Sequence, residues 1–135
     1  MSTRWIRVIT GLLILLTLLD LGYAMTVFAS PSFWLEQVHG VDYGDPAGLL
    51  RRTAALWAAF ALLQGIAVFR WRFHPHWLML VAGVRLTELF ADWIYLGFAE
   101  DVSTTSSILL ALSPVLNLAC AFVFYFGYFK ARGID

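Results

Sequence analysis

The stretch VRLTELFADWIYL sets Arg85, Glu88 and Asp92 at i, i+3 and i+7, with Tyr95 continuing the row, so three charges and a phenol share one helical face. Around them the chain is almost wholly apolar. On insertion scales each charge left to lipid at a bilayer centre costs about 2.5–3.5 kcal/mol, so this face has to point into protein. Two other runs supply partners. Asp20 interrupts the first apolar run, and Arg51 and Arg52 open the second, with stems long enough to lie along apolar surface while their heads reach inward. Three arginines then stand against three carboxylates, a set that closes to zero. Ser113 and Asn117, at i and i+4 in the last run, add neutral donors and acceptors beside Pro114, whose missing N–H frees the Leu110 carbonyl and predicts a kink. The chemistry open to such a set is ion pairing, proton binding and general acid or base work by Glu88 or Asp92, with an arginine holding an anionic or carbonyl group.

The elements that position these residues follow from composition. Of 135 residues, 61% are hydrophobic and only 13% charged, against about a quarter charged in soluble domains. The reading is all-α: a single polytopic membrane domain, a four-helix up-down transmembrane bundle that leaves little chain outside the lipid. Spans of about 5–29, 47–69, 76–99 and 106–129 each suffice for a hydrocarbon core of about 30 Å. Asp45 as N-cap and Pro46 as first residue start the second span, Pro75 precedes the third, and Ser103, Thr104 and Thr105 precede the fourth. Ala54 with Ala58, Ala55 with Ala59 and Ala61 with Gly65 are small-residue pairs that permit close helix packing in the second span. The first run also has signal-peptide features, with Arg4 and Arg7 before it and Ala29 before Ser30, but it is longer than the usual h-region and contains Asp20.

The basic residues near the span ends give orientation. Arg4, Arg7, Arg70, Arg72, Lys130 and Arg132 fall on one side, whereas Glu36, Asp42, Asp45, Glu100 and Asp101 fall on the other. The positive side is cytoplasmic, which predicts both termini there and a bacterial inner-membrane location. The outer loop, residues 30–46, reads as a short interfacial helix from Ser30 and Pro31 to a stop at Gly40, with Phe33 and Trp34 at headgroup depth. The alternative is a lid that carries His39, Asp42, Tyr43 and Asp45 over an outward pocket.

Other functions have less to stand on. Nine basic against nine acidic residues show no excess suited to nucleic acid, and one cysteine, Cys120, excludes an internal disulfide and reads as a small core residue. His39, His74 and His76 lie outside or at the end of spans and predict neither haem nor metal binding, with His74 and His76 as polar interface groups. No cofactor is predicted, although lipid or quinone suits a chain with 22 aromatic residues.

The four spans, with LLRRTAALWAAFALL opening the second and AGVRLTELFADWIYL in the third, resemble the small four-helix bacterial inner-membrane proteins of the DoxX-like group. The motif-like points are Arg51 or Arg52 after the long first loop and Gly83 with Arg85. Some members of that group are accessory membrane subunits of quinone-linked oxidoreductases, so the resemblance implies an accessory role beside membrane-protein partners and transfers no functional residue. Three functions are therefore expected in turn. The first is an accessory or scaffold subunit of a larger complex that binds a lipophilic molecule in a polar-centred bundle, a homo-oligomer being the alternative to a membrane-protein partner. The second is a small membrane enzyme using Glu88 or Asp92, and the third a proton-coupled exporter, which three arginines beside the carboxylates would disfavour for cationic cargo.

Overall fold

A computed structural model describes residues 1–44, 48–98 and 102–133. Among them are four long helices, α1 Thr3–Ala29, α2 Leu49–Arg70, α3 His76–Phe98 and α4 Thr104–Arg132, and one short helical segment, Phe33–His39. The expected Asp45–Pro46 start of the second span, its first residue Ala47, the final Ala99 of the third, and Glu100 and Asp101 lie outside the described residues. Ser103 caps α4, its hydroxyl accepting from the Ser106 N–H at 3.1 Å. α4 runs unbroken through the buried Pro114.

Helices α1, α2 and α4 are long and apolar enough to cross a membrane. Helix α3 has 23 residues, one more than α2, but each 18-residue stretch of it contains Arg85, Glu88 and Asp92. The charges that mark the candidate site are thus what separates α3 from the other three.

Helix α1 packs chiefly on α2 and α3 chiefly on α4, so the bundle is two antiparallel hairpins laid together. Both chain ends share one end of it, where Lys130 Nζ lies 5.9 Å from the centre of the Trp5 ring. At the opposite end the Ser103 N–H donates to the His39 carbonyl at 2.7 Å, joining the two connecting loops. We call these the terminal end and the loop end.

The buried positions on α1 are Ile9, Leu13, Leu16, Asp20, Ala24 and Val27, a row with steps of three and four that keeps one face turned inward. On α4 the corresponding row runs Ser106, Leu110, Pro114, Asn117, Ala121, Phe124 and Gly127. Towards the terminal end these rows are apolar, and Ile9, Leu13, Trp71, Leu78, Val81 and Phe124 interlock as a fully buried core. α4 approaches α1 so closely there that a Cβ on Gly127 would lie 2.6 Å from Ile9 Cδ1. Trp71 sits in this core, its indole N–H donating to Thr10 Oγ1 at 3.3 Å.

The segment after α1 does stop at Gly40, which takes the left-handed conformation with φ of 74°. Residues Phe33–His39, however, wind with the wide turn of a π-helix. Within this segment the Trp34 ring packs against Tyr23, His39 and Trp57.

Candidate functional site

Four polar side chains, one from each long helix, meet midway along the bundle. Asp20 of α1, Gln64 of α2, Arg85 of α3 and Asn117 of α4 are 4%, 0%, 3% and 7% exposed. Arg85 Nη2 and Asp20 Oδ2 form an ion pair at 2.5 Å, and Gln64 Nε2 donates to the same carboxylate oxygen at 2.7 Å. Arg85 Nη1 donates to Asn117 Oδ1 at 3.4 Å. Asn117 Nδ2 then donates to Ser113 Oγ at 3.2 Å, and Ser113 Oγ donates to Asp92. The result is a hydrogen-bonded chain from Gln64 to Asp92 that ties both hairpins together.

Helical spacing explains this layer. Each of the four residues occupies a place in the buried row of its own helix, so the apolar seam becomes polar at one level on all four helices at once. Two buried atoms in the layer have no partner among the described residues, Gln64 Oε1 and Arg85 Nε.

On the loop side of the layer the polarity becomes acidic. Glu88 and Asp92 are half-buried. Asp92 accepts from Ser113, while Glu88 has no ion pair among the described residues; the Trp57 indole and, beyond 4.0 Å, the Arg85 guanidinium are its polar neighbours. Above them the rings of Tyr23, Trp34 and Trp57 contact one another with centroids 5.3–5.8 Å apart. His39 stands beside Trp34 and meets Tyr95 edge-on at 5.8 Å, and its Nδ1 is 2.8 Å from the buried Ser106 Oγ. Burial holds the His39 imidazole below the ordinary histidine pKa.

Of the residues picked out in the sequence, the fold brings Asp20, Arg85, Asp92, Ser113 and Asn117 into one network. Tyr95 is exposed and meets His39, outside the network. Arg51 and Arg52 are the main correction. Both are exposed, and among the described residues neither forms an ion pair or a side-chain hydrogen bond. Axial distance separates them from Asp20: Gln64 marks its level on α2 and lies 13 positions beyond Arg51, about 20 Å along the axis and beyond the reach of any side chain. From Asp92, nearer their level, they are kept by direction, since both lie on the exposed surface of α2. The balance of three arginines against three carboxylates therefore does not close inside the bundle: Arg85 cancels Asp20, and Glu88 and Asp92 are in surplus. The repulsion expected of a cationic ligand loses two of its three arginines.

Of the lid residues, His39 packs on Trp34 and bonds Ser106 above the network, Asp42 is exposed, Tyr43 is half-buried, and Asp45 lies outside the described residues. Gln64 was not singled out by sequence, because one amide in an apolar run carries no charge penalty; its signal was its spacing, three after Ala61 on the buried row. Cys120 is half-buried against the apolar core, and the His74 and His76 rings lie tilted at 45° with centres 5.7 Å apart. Compared with protein-family models, with curated proteins and with solved structures, the chain matches none.

Proposed function

We propose that the chain is a four-span protein of the bacterial inner membrane, with both termini cytoplasmic, that serves as a non-catalytic accessory or scaffold subunit and binds a lipophilic molecule, lipid or quinone. The observation that carries this reading is the closure of the polar layer. Asp20, Gln64, Arg85 and Asn117 bond chiefly to one another, so the mid-bundle charge is engaged in fixing one arrangement of helices, a recognised use of buried ionic groups. Support for α3 as the fourth span comes from its outer face, where Leu86, Phe90 and Ile94 are exposed at steps of four while Arg85 points inward. Support for the orientation comes from the terminal end, where Arg4, Arg7, Arg70, Arg72, Lys130 and Arg132 are all exposed. The DoxX-like layout and its accessory role belong to the same proposal.

The test is purification of the tagged chain from its native membranes in mild detergent. A membrane protein recovered with it in fixed stoichiometry is the expected result. Recovery of only a monomer or homo-oligomer sinks the accessory reading.

A second reading, a membrane enzyme or proton-coupled carrier, is favoured by Glu88 and Asp92, whose charge the layer does not neutralise. For this reading Glu88→Gln and Asp92→Asn should abolish function in protein that folds and melts as the parent does. Parallel loss of folding and function would return both residues to a structural role.

A further inference from the structure

We infer that the face of the α1–α2 hairpin holds an anionic phospholipid, with one acyl chain in a groove between the helices and its phosphate between Arg7 and Arg70. This site rests on the reading of the chain as membrane-spanning, and it lies apart from the polar layer. The groove, of about 440 Å³, is bounded by Thr17 and Leu21 of α1 and by Ala58, Ala61, Gly65 and Phe69 of α2. A smaller hollow of about 180 Å³ shares Thr17, Gly65 and Phe69 with it and extends it alongside Ile14 and Val68. Its depth comes from the small residues. A Cβ on Gly65 would sit in ordinary contact with Thr17 Cγ2, at 3.7 Å, so the helices meet there at van der Waals distance and the groove lies beside that contact, over Gly65 and Ala61.

Length and charge select the occupant. From Ala58 to Phe69 the groove follows 12 residues of α2, roughly 16 Å of rise, which matches one leaflet of a hydrocarbon core about 30 Å thick. It therefore suits one extended acyl chain and is too short for a helix that crosses the whole membrane. At its terminal end it meets cations. Arg70 directly follows Phe69, and Arg7 is seven residues before Ile14, two turns along the same face of α1. The Thr10–Trp71 hydrogen bond sets the two antiparallel helices in register and places Arg7 about one turn, roughly 6 Å, beyond the level of Arg70, a gap that two arginine side chains can close around one phosphate. Both are exposed, and neither has an ion pair among the described residues. The described carboxylates, Asp20, Glu36, Asp42, Glu88 and Asp92, all sit at the polar layer or beyond it towards the loop end. Two guanidinium groups beside an apolar trough offer a phosphodiester its forked hydrogen bonds and the chain below it a surface to lie on.

The experiment is native mass spectrometry of the full chain in detergent, titrated with dioleoylphosphatidylglycerol or dioleoylphosphatidylcholine, whose acyl chains are identical. The wild type should retain the anionic lipid at least about tenfold better, and R7Q/R70Q should erase that preference. Gly65→Leu should weaken retention of both lipids by filling the groove. Equal retention of the two lipids by the wild type, or an unchanged preference in R7Q/R70Q, overturns the site; because these arginines are exposed, that variant keeps the test decisive even if Gly65→Leu misfolds. Displacement of a co-purifying protein, with lipid retention unaltered, by Gly65→Leu also overturns it. Carbonate extraction of membranes separates this failure from failure of the underlying reading: a chain that stays in the pellet but shows no lipid preference loses only the site, whereas release into the supernatant removes the membrane assignment itself.

Discussion

The terminal and loop halves of the bundle are built from the same four helices and the same inward rows, yet they are filled by opposite chemistry. On the terminal side, Ile9, Leu13, Trp71, Leu78, Val81 and Phe124 are wholly buried and interlock by shape. From Asp20, Gln64, Arg85 and Asn117 onward, the seam is polar, then acidic, then roofed by aromatic rings. In lipid, apolar contacts between helices gain little from the hydrophobic effect, because acyl chains are as apolar as leucine, and association relies on close packing and hydrogen bonds. The comparison teaches a division of labour. The terminal half supplies fit, and the polar layer supplies direction, since a shift of one helix by a turn would separate Arg85 from Asp20 and strand two charges.

The largest expected effect follows from breaking that layer. Arg85→Met leaves the Asp20 carboxylate buried without its cation, and loss of one partner of a buried pair costs about 3–5 kcal/mol. The double variant Arg85→Met with Asp20→Leu removes both charges and should be more stable than the single one. Thermal melting in detergent checks the order. If the double variant is no better than the single, the layer is not acting as a matched pair, and its directional role fails.

Next comes the terminal half. Gly127→Leu drives a side chain into Ile9 and Leu78, whose atoms already lie 2.6 and 3.3 Å from a virtual Cβ, and overpacking of this kind costs about 1–3 kcal/mol. No charge is involved, so the loss should be independent of salt and pH. A tolerated Gly127→Leu would show that the apolar half is looser than its burial implies.

A smaller effect separates the layer from the acidic surplus beyond it. Neutralising Glu88, which has no ion pair among the described residues, should change stability by less than about 1 kcal/mol and towards stabilisation, since a half-buried charge without a counter-ion is costly. Asp20→Asn should be clearly destabilising, because Arg85 and Gln64 both address that carboxylate. Equal melting shifts for the two variants would erase the boundary between a structural layer and a free carboxylate.

How far this organisation was legible in the sequence depends on the cost of each residue. Asp20 and Arg85 announce themselves because a charge amid apolar residues needs an interior partner, and the seven-residue step from Arg85 to Asp92 fixes their common face. Asn117 follows from its spacing to Ser113. Arg51 and Arg52 were misassigned because both the register of α1 against α2, here set by the Asp20–Gln64 and Thr10–Trp71 contacts, and the outward turn of the two arginines are tertiary quantities. The turn of Trp34 into the Tyr23–Trp57 cluster was equally hidden, since an aromatic residue in a loop suits either a headgroup or a ring partner. The four long helices and the common end for both termini were readable from apolar runs and short connections. The π-turn at Phe33–His39 had no local signal beyond its closing glycine.

The smallest expected effect is confined to the loop end and sharpens the contrast by its absence elsewhere. His39 is held neutral by burial, with a pKa below the ordinary histidine value of 6.5, and its ring anchors the short helix to Ser106 and Tyr95. The unfolded segment therefore takes up a proton first as the medium acidifies. Its contribution to stability is complete above about pH 6.5 and is lost as the pH falls from there towards the lowered native value. Amide exchange at Leu35–Gly40, corrected for the intrinsic pH dependence, should accelerate across that interval, while the amides of Ala121 and Phe124 keep their protection. The change should also vanish in His39→Gln, which has no proton to gain. Equal loss of protection at both ends would mean that the halves open as one unit, and the loop end would then have no separate equilibrium for a proton to move.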